Sequence, residues 1–286
     1  LAGTLARPIL RLATAAERVR RGLGRGVDEI PDFTSRNDEI GDLSGVLREM
    51  TSALDQRMDA IERFAADVSH EIKNPLTSLR SAVETATRIT EPEQQKKLMV
   101  IIQEDVQRLD RLITDISNAS RLDAELSRAE LDIVDIAGML GAITEIYATQ
   151  EDDISVIVDV QGKPPFRVTA MEDRLVQVFR NLIQNAISFS PISGCVQLSL
   201  SRTSDFVQID VLDEGPGLPE GKLAAVFDRF YSERPEGEKF GMHSGLGLSI
   251  SKQIIEAHGG KIHAENRYAA DGTLRGARFV ILLPIA

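Results

Sequence analysis

Several things are scarce in this sequence, and each shortage excludes something. It has one cysteine, Cys195, so no disulfide can form within the chain. A reducing compartment is then the simple expectation, with Cys195 serving as a small buried hydrophobe. No apolar run approaches the ~18 residues that a membrane-spanning helix needs, and no signal peptide is recognisable. Positive charge is in deficit: 33 Lys and Arg face 44 Asp and Glu, for a formal net charge of -11. An acidic surface repels phosphate backbones. The one basic cluster, Arg18, Arg20, Arg21 and Arg25, lacks interleaved aromatics, so nucleic acid is not an expected partner. There is no internal repeat and no low-complexity tract.

What is present reads as globular and folded: 42% hydrophobic and 27% charged residues over a length of 286. That length suits two domains, or one domain with long helical segments. The first 130 residues hold almost no strand-like alternation and read as four helical stretches. The first covers residues 8–23, with Pro8 at its start and Gly22, Gly24 and Gly26 at its end, because an N1 proline loses no needed hydrogen bond. A connector carrying Val27, Ile30 and Phe33 follows. The second stretch begins near Asn37-Asp38-Glu39 and repeats Ile40, Leu43, Leu47, Met50 and Leu54 at coiled-coil spacing. The stripe runs on through Met58, Ile61, Val68, Ile72, Leu76, Leu79 and Val83 until Thr90-Glu91-Pro92-Glu93 breaks it. A fourth helix carries Leu98, Ile102, Val106, Leu109, Ile113 and Ile116. Two amphipathic helices joined by a short turn form an antiparallel hairpin. One hairpin has little core of its own, which predicts pairing into a dimeric four-helix bundle.

From about Leu131 the texture changes. Strand-like runs occur at Ile154–Val160, Val196–Leu200, Phe206–Leu212, Lys261–Glu265 and Ala277–Leu283, with helices near 134–149, 172–188 and 248–257. The pattern predicts an α/β sandwich, a sheet covered by helices.

Four segments carry chemistry. On the third helical stretch, His70 lies two residues from both Val68 and Ile72. A two-residue step turns a helix by roughly 200°, so His70 points away from the apolar stripe. Alone, an exposed histidine is usually just solvated. Here Glu71 can hydrogen-bond one ring nitrogen and make the other more basic. Asn74 shares its face one turn on. Pro75 removes a backbone bond and should kink the helix there. In the second segment, Asn181 and Asn185 share a helix face at i, i+4. Two stacked carboxamides can offer oxygen to Mg2+, although surface asparagines are an equally ordinary reading. In the third, Asp213-Glu214-Gly215-Pro216-Gly217 follows an apolar strand. Asp213 can accept from an adenine amino group and the glycines permit close backbone approach, but an ordinary strand-ending turn would look the same. The last is Gly245-Leu246-Gly247-Leu248, which opens a helix. Such N–H groups cradle phosphate. Before it, residues 232–244 read as a lid that Phe227–Tyr231 could anchor, core packing of those aromatics being an equally ordinary alternative.

Taken in order, these segments resemble the sensor histidine kinases of two-component systems. His70–Leu76 is similar to their H box, Asn181–Ala186 to the N box, Asp213–Gly217 to the G1 box, Phe227–Tyr231 to the F box and Gly245–Leu248 to the G2 box. Gly276–Phe279 with Leu283-Pro284 resembles the closing strand, and Pro8 with Asp38–Gly41 resembles a HAMP linker. The likeness covers essentially the whole chain. It implies a HAMP domain at 1–57, a parallel all-α coiled coil. It implies a dimerisation and histidine phosphotransfer (DHp) hairpin at 58–124 and a Bergerat (GHKL) ATP-binding domain at 130–286. It further implies autophosphorylation of His70 by ATP, with Glu71 as general base and orienter, and transfer to an aspartate of a response regulator. Asn74 would position a water for phosphatase action on that regulator. ATP would be bound by Asn181, Asn185, Asp213, Gly215, Gly217, Phe230, Gly245, Leu246, Gly247 and Leu248, with Asn185 and Asn181 on Mg2+. The chain would be a homodimer and the cytoplasmic portion of a bacterial inner-membrane protein. The chain starts at Leu1 rather than Met, as a fragment would, and the domain order of the resemblance implies transmembrane helices and a sensor in an absent N-terminal part. One position departs from the pattern: Ser188 stands where many members have a lysine near the phosphates. Arg180 or Lys239 is then expected to meet that charge. The Ser188–Pro191 ending is similar to the ChvG/ExoS type of envelope sensor kinase. Two other readings stay open, a chaperone or mismatch-repair type of ATPase, which would not need His70-Glu71, and a degenerate kinase acting as a signalling scaffold.

Overall fold

The computed structural model describes residues 2–21, 26–89, 91–126, 131–148, 154–231 and 245–286. It divides into two compact units, Leu1–His70 and Glu71–Ala286. Among the described residues no helix is long and apolar enough to cross a membrane.

The first unit begins with helix α1, Ala2–Arg20, in which Pro8 is internal. The helix thus begins before Pro8, the start expected from sequence. A proline in the second turn forfeits only one backbone bond, and the helix extends through it. A connector with a short 3-10 turn at Val27–Glu29 leads to helix α2, Glu39–Ala86. Asp38 caps α2: its Oδ1 accepts from the Gly41 N–H at 3.1 Å, and it is ion-paired to Arg36. Gly41 is obligatory here, since a Cβ would lie 2.2 Å from the Arg36 carbonyl oxygen. Leu12, Ala15, Ile30 and Ile40 form the small core, with Val19, Phe33 and Leu47 against it. The connector is fastened to α2 by polar side chains. Buried Ser44 donates to the Pro31 carbonyl at 2.8 Å and accepts from the Phe33 N–H at 3.0 Å. Arg48 donates to the Ile30 carbonyl at 2.7 Å.

The second and third helical stretches expected from sequence are one helix, α2, with no interruption at Pro75. Continuous 3–4 spacing gives the helix no reason to stop, and Pro75 is itself buried. Helix α3, Pro92–Leu126, follows the turn. Arg108 on α3 reaches Glu71 on α2. These residues lie at similar distances on either side of the turn, as an antiparallel hairpin requires. Ala82 on α2 and Leu112 on α3 are buried.

The rest of the second unit is a mixed sheet under helices. Its strands are β2 (Ser155–Val160), β4 (Cys195–Arg202), β5 (Phe206–Leu212), β6 (Lys261–Tyr268) and β7 (Leu274–Pro284), in spatial order β2-β4-β5-β7-β6. Among the described residues, β2 and β4 pair in parallel and the other neighbours antiparallel. The short strands β1 (Asp132–Asp135) and β3 (Arg167–Ala170), not foreseen from sequence, form a separate antiparallel pair. At four residues each they are too short to show alternation. Helices α4 (Ile136–Ala148), α5 (Glu172–Phe189) and α6 (Gly247–Ala257) supply the covering layer. Alternate residues of β4 and β5, Val196, Leu198, Leu200, Val207, Ile209 and Val211, are fully buried. Leu175, Phe179, Leu182 and Ile183 of α5 and Ile254 and Ile255 of α6 are buried with them. Each such side chain contributes about 1.5–3 kcal/mol on burial. That apolar layer fixes the polar face of α5 that carries the asparagines.

Candidate functional site

His70 is exposed near the middle of α2 and Asn74 is exposed one turn on. Glu71 is half-buried, because Arg108 draws its carboxylate into the hairpin with a 3.2 Å hydrogen bond from Nη2 to Oε2. Arg108 was not singled out from the sequence. The signal was there: a charged residue inside an apolar stripe, as far beyond the turn as Glu71 is before it.

The second group of candidates gathers around α5. Asn181 faces the start of α6: its Nδ2 donates to the Gly247 carbonyl at 3.3 Å, and a Cβ on Gly247 would lie 3.6 Å from the Asn181 side chain. Asn185 lies one turn on and is half-buried. Ser188 turns its hydroxyl back onto the Asn185 carbonyl at 2.9 Å. The end of the same helix meets the loop after β5: a Cβ on Gly215 would be 2.8 Å from the Phe189 carbonyl oxygen. Thus the asparagine helix, the Gly247 helix start and the Asp213 loop adjoin one another.

Asp213 is 4% exposed. Its Oδ1 accepts from the Gly215 and Ala277 N–H groups, both at 2.9 Å. Burial pushes its carboxyl above the usual aspartate range. Those two backbone bonds and the Arg267 charge oppose the rise without cancelling it. Two buried lone pairs are thus spent on orienting the group, and Oδ2 is the oxygen left to meet a donor.

Phe230 and Gly245 bracket residues 232–244. The Phe230 N–H donates to the Gly245 carbonyl at 2.9 Å, and both residues have positive φ, 61° and 72°. A Cβ on Gly245 would lie 2.8 Å from the Phe230 Cα. Leu246 is buried and Leu248 half-buried. The expected lid, with Lys239, lies outside the described residues. Arg180, the other expected replacement for the missing lysine, is near Tyr147 on α4: burial raises the Tyr147 phenol above its ordinary range, and Arg180 opposes that rise. Successive helix residues diverge by about 100°, and Asn181 is the one that faces Gly247.

Three family models match the chain in succession. They are the HAMP domain at residues 1–56, the His Kinase A (phospho-acceptor) domain at 60–125, and the histidine kinase-, DNA gyrase B- and HSP90-like ATPase at 170–286. The chain belongs to the sensor histidine kinases. It is 52% identical over 292 residues to sensor protein ChvG of Rhizobium meliloti, covering 99% of this chain and 51% of that protein. Against sensor protein ChvG of Agrobacterium fabrum it is 50% identical over 294 residues, covering 100% and 49%. The chain therefore spans about half the length of the curated relatives it matches. Among solved structures, histidine kinase ThkA in complex with response regulator protein TrrA is similar at TM-score 0.63. The identity there is 25%, over 81% of this chain and 64% of that one. The phospho-acceptor match spans His70, and the ATPase match spans Asn181, Asp213 and Gly247.

Proposed function

We propose that this chain is the ATP-dependent autokinase portion of a two-component sensor, with His70 as phosphoacceptor. The observation that carries the reading is the pairing of two features. An exposed histidine followed by a carboxylate sits inside the phospho-acceptor segment. An ATPase-type site is built from Asn181, Gly247, Phe230, Gly245 and a buried Asp213. A ring nitrogen of His70 attacks the γ-phosphorus of ATP. The P–N bond forms as the bond to the β-γ bridging oxygen breaks, and ADP leaves. Glu71 takes the proton from the other ring nitrogen. The work of the site is positioning and charge neutralisation rather than covalent help. Asp213 Oδ2 accepts from the adenine amino group. The glycines Gly215, Gly217, Gly245 and Gly247, with Leu246 and Leu248, bring backbone close to the nucleotide.

The residues fit a magnesium ion. Asn181 spends its Nδ2 on the Gly247 carbonyl, so its carboxamide oxygen faces elsewhere, and Asn185 offers a second oxygen one turn on. Bound there, magnesium supplies charge neutralisation of the phosphates. The phosphoryl group then passes to an aspartate of a response regulator. Asn74 orients the water that removes it again in a phosphatase state.

The proposed domains remain a HAMP linker at 1–57, the DHp hairpin at 58–124 and the ATP-binding domain at 130–286. Exposed Leu76 and Val83 on α2 and Val106 and Ile113 on α3 support a homodimer in which a second hairpin covers them. The HAMP segment supports attachment to a bacterial inner membrane through N-terminal helices outside this chain, which would then be cytoplasmic.

Incubation with γ-labelled ATP and Mg2+ tests the reading. Acid-labile, base-stable label is expected on the native chain and is lost in His70→Gln and Asn185→Ala. Label that persists in His70→Gln moves the nucleophile elsewhere. Retained ATP binding with no label would favour a signalling scaffold.

A further inference from the structure

The loop from Asp213 to Leu218 leaves the sheet at Leu212 and contains Pro216, with Pro219 immediately after it. Regular pairing cannot hold such a loop, because proline has no N–H to give. Yet both of its ends are tied, and by consecutive residues of one edge strand. Arg267 donates from Nη1 to the Asp213 main-chain carbonyl at 2.7 Å. Asn266 accepts from the Leu218 N–H at 2.7 Å and donates to the Leu218 carbonyl at 2.8 Å. Its carboxamide thus does what a neighbouring strand's backbone would do. The fit is close: a Cβ on Gly217 would lie 2.9 Å from Asn266 Oδ1.

A regular strand sends successive side chains to opposite faces. Here the ladder slips. Arg267 pairs with Gly276 and Tyr268 with Leu274, so Arg275 is an extra residue on β7. The irregularity follows directly after Arg267, at the strand end, and the Asn266 and Arg267 side chains reach the same loop.

We infer that Asn266 and Arg267 are positioning residues that hold the Asp213–Leu218 loop in the form that reads the adenine of ATP. The inference rests on the nucleotide-binding reading above and goes beyond it by naming what orients the base-reading carboxylate. Arg267 fixes the peptide of Asp213 itself, while Asn266 closes the far end of the loop. With either removed, the Asp213 carboxylate loses its fixed direction. A purine that donates at that position, adenine, then loses its advantage over one that accepts there, guanine.

The test uses the whole chain and measures ATP and GTP binding for the native protein, Asn266→Ala, Arg267→Met, Arg267→Lys and Asn266→Asp, with melting temperature alongside. Asn266→Ala and Arg267→Met should each weaken ATP by about tenfold and GTP much less, so that the preference for ATP collapses. Arg267→Lys, which keeps a donor for the carbonyl, should retain most of it. Asn266→Asp keeps the acceptor and the size, and covers the case in which Asn266→Ala fails to fold. Folded variants that bind both nucleotides as the native chain does, or that lose both equally, overturn the inference. A native chain that binds no ATP overturns the proposed function first, and this one with it.

Discussion

Arg108 and Glu71 form an ion pair across the hairpin, Nη2 to Oε2 at 3.2 Å, with side chains only 18% and 24% exposed. The pair is not fully satisfied. Arg108 Nε is enclosed without a hydrogen-bond partner. An enclosed pair of this kind holds a carboxylate in one direction more than it stabilises the fold. Glu71 is the residue next to His70, so its direction bears on the proton it is proposed to take.

Arg108→Met should therefore slow autophosphorylation by roughly tenfold while leaving the KM for ATP unchanged, since the guanidinium serves the acceptor side only. The truncation leaves Glu71 half-buried and unpaired, which costs about 1–3 kcal/mol. In the double variant Glu71→Gln with Arg108→Met, the rate losses should not add, because both changes remove one unit. Additive losses would show that Arg108 acts elsewhere.

Asp213 yields a prediction with a pH sign. Burial raises its carboxyl above the usual range, so the native state binds a proton more readily than the unfolded chain does. Its contribution to stability is thus fully present below the ordinary aspartate range, about pH 4, and is lost as pH rises through the raised value. At neutral pH the burial of Asp213 is therefore a cost to folding. Asp213→Asn keeps an acceptor for the Gly215 and Ala277 N–H groups and removes that cost. Melting scans should find the variant at least as stable as the native chain at pH 7–8, with the gap closing toward about pH 4. ATP binding should weaken by at least tenfold. A variant that melts lower than the native chain at neutral pH would contradict the sign.

Much of this was legible in the sequence because the signals were periodic. The stripe from Ile40 to Val83 gave the long helix, and Phe206–Leu212 gave a buried strand. The glycine and asparagine segments stood out as candidates because the proposed chemistry needs those residue types at short spacing. What was hidden is long-range. Asn266 bonds Leu218 across 48 residues and Arg267 bonds Asp213 across 54, and neither stands out in a strand of mixed polarity. Ser44 and Arg48 lie on a coiled-coil helix where polar residues are ordinary, and only the fold reveals that they hold the connector. Pro8 misled because a helix start and a second-turn proline look alike when few residues precede them.

Gly276 has φ 136°, and a Cβ there would stand 2.1 Å from the Asp213 carbonyl oxygen and 2.9 Å from its Oδ1. Both clashes are with the group that is proposed to read adenine, and the nearer is with backbone that cannot swing aside. Gly276→Ala should therefore cost more than about 2 kcal/mol. It should also weaken ATP more than the distant Gly272→Ala, where a Cβ meets nothing within 4 Å despite φ 83°. The comparison separates backbone strain, present at both positions, from the collision with Asp213, present at one. Equal effects on ATP would show that strain alone is being measured.

His258 gives the last prediction. Its Nδ1 lies 2.8 Å from the Ile254 carbonyl and must donate there, so Nε2 is an acceptor, and it takes the Met171 N–H at 3.0 Å. Met171 is the N-cap of α5 and has no side-chain cap of its own. A histidine at the end of α6 therefore caps the helix that carries Asn181 and Asn185. His258→Phe keeps the bulk and removes the acceptor, leaving a half-buried N–H unpaired at a cost of about 1–3 kcal/mol, or a Tm lower by roughly 3–8 °C. Because the defect lies at the start of α5, more than two turns before Asn181, nucleotide affinity should fall by less than about threefold if the apolar layer holds the helix in place. A large loss of affinity with an unchanged Tm would reverse that order. It would mean that the cap sets the pitch of the asparagine helix rather than its stability.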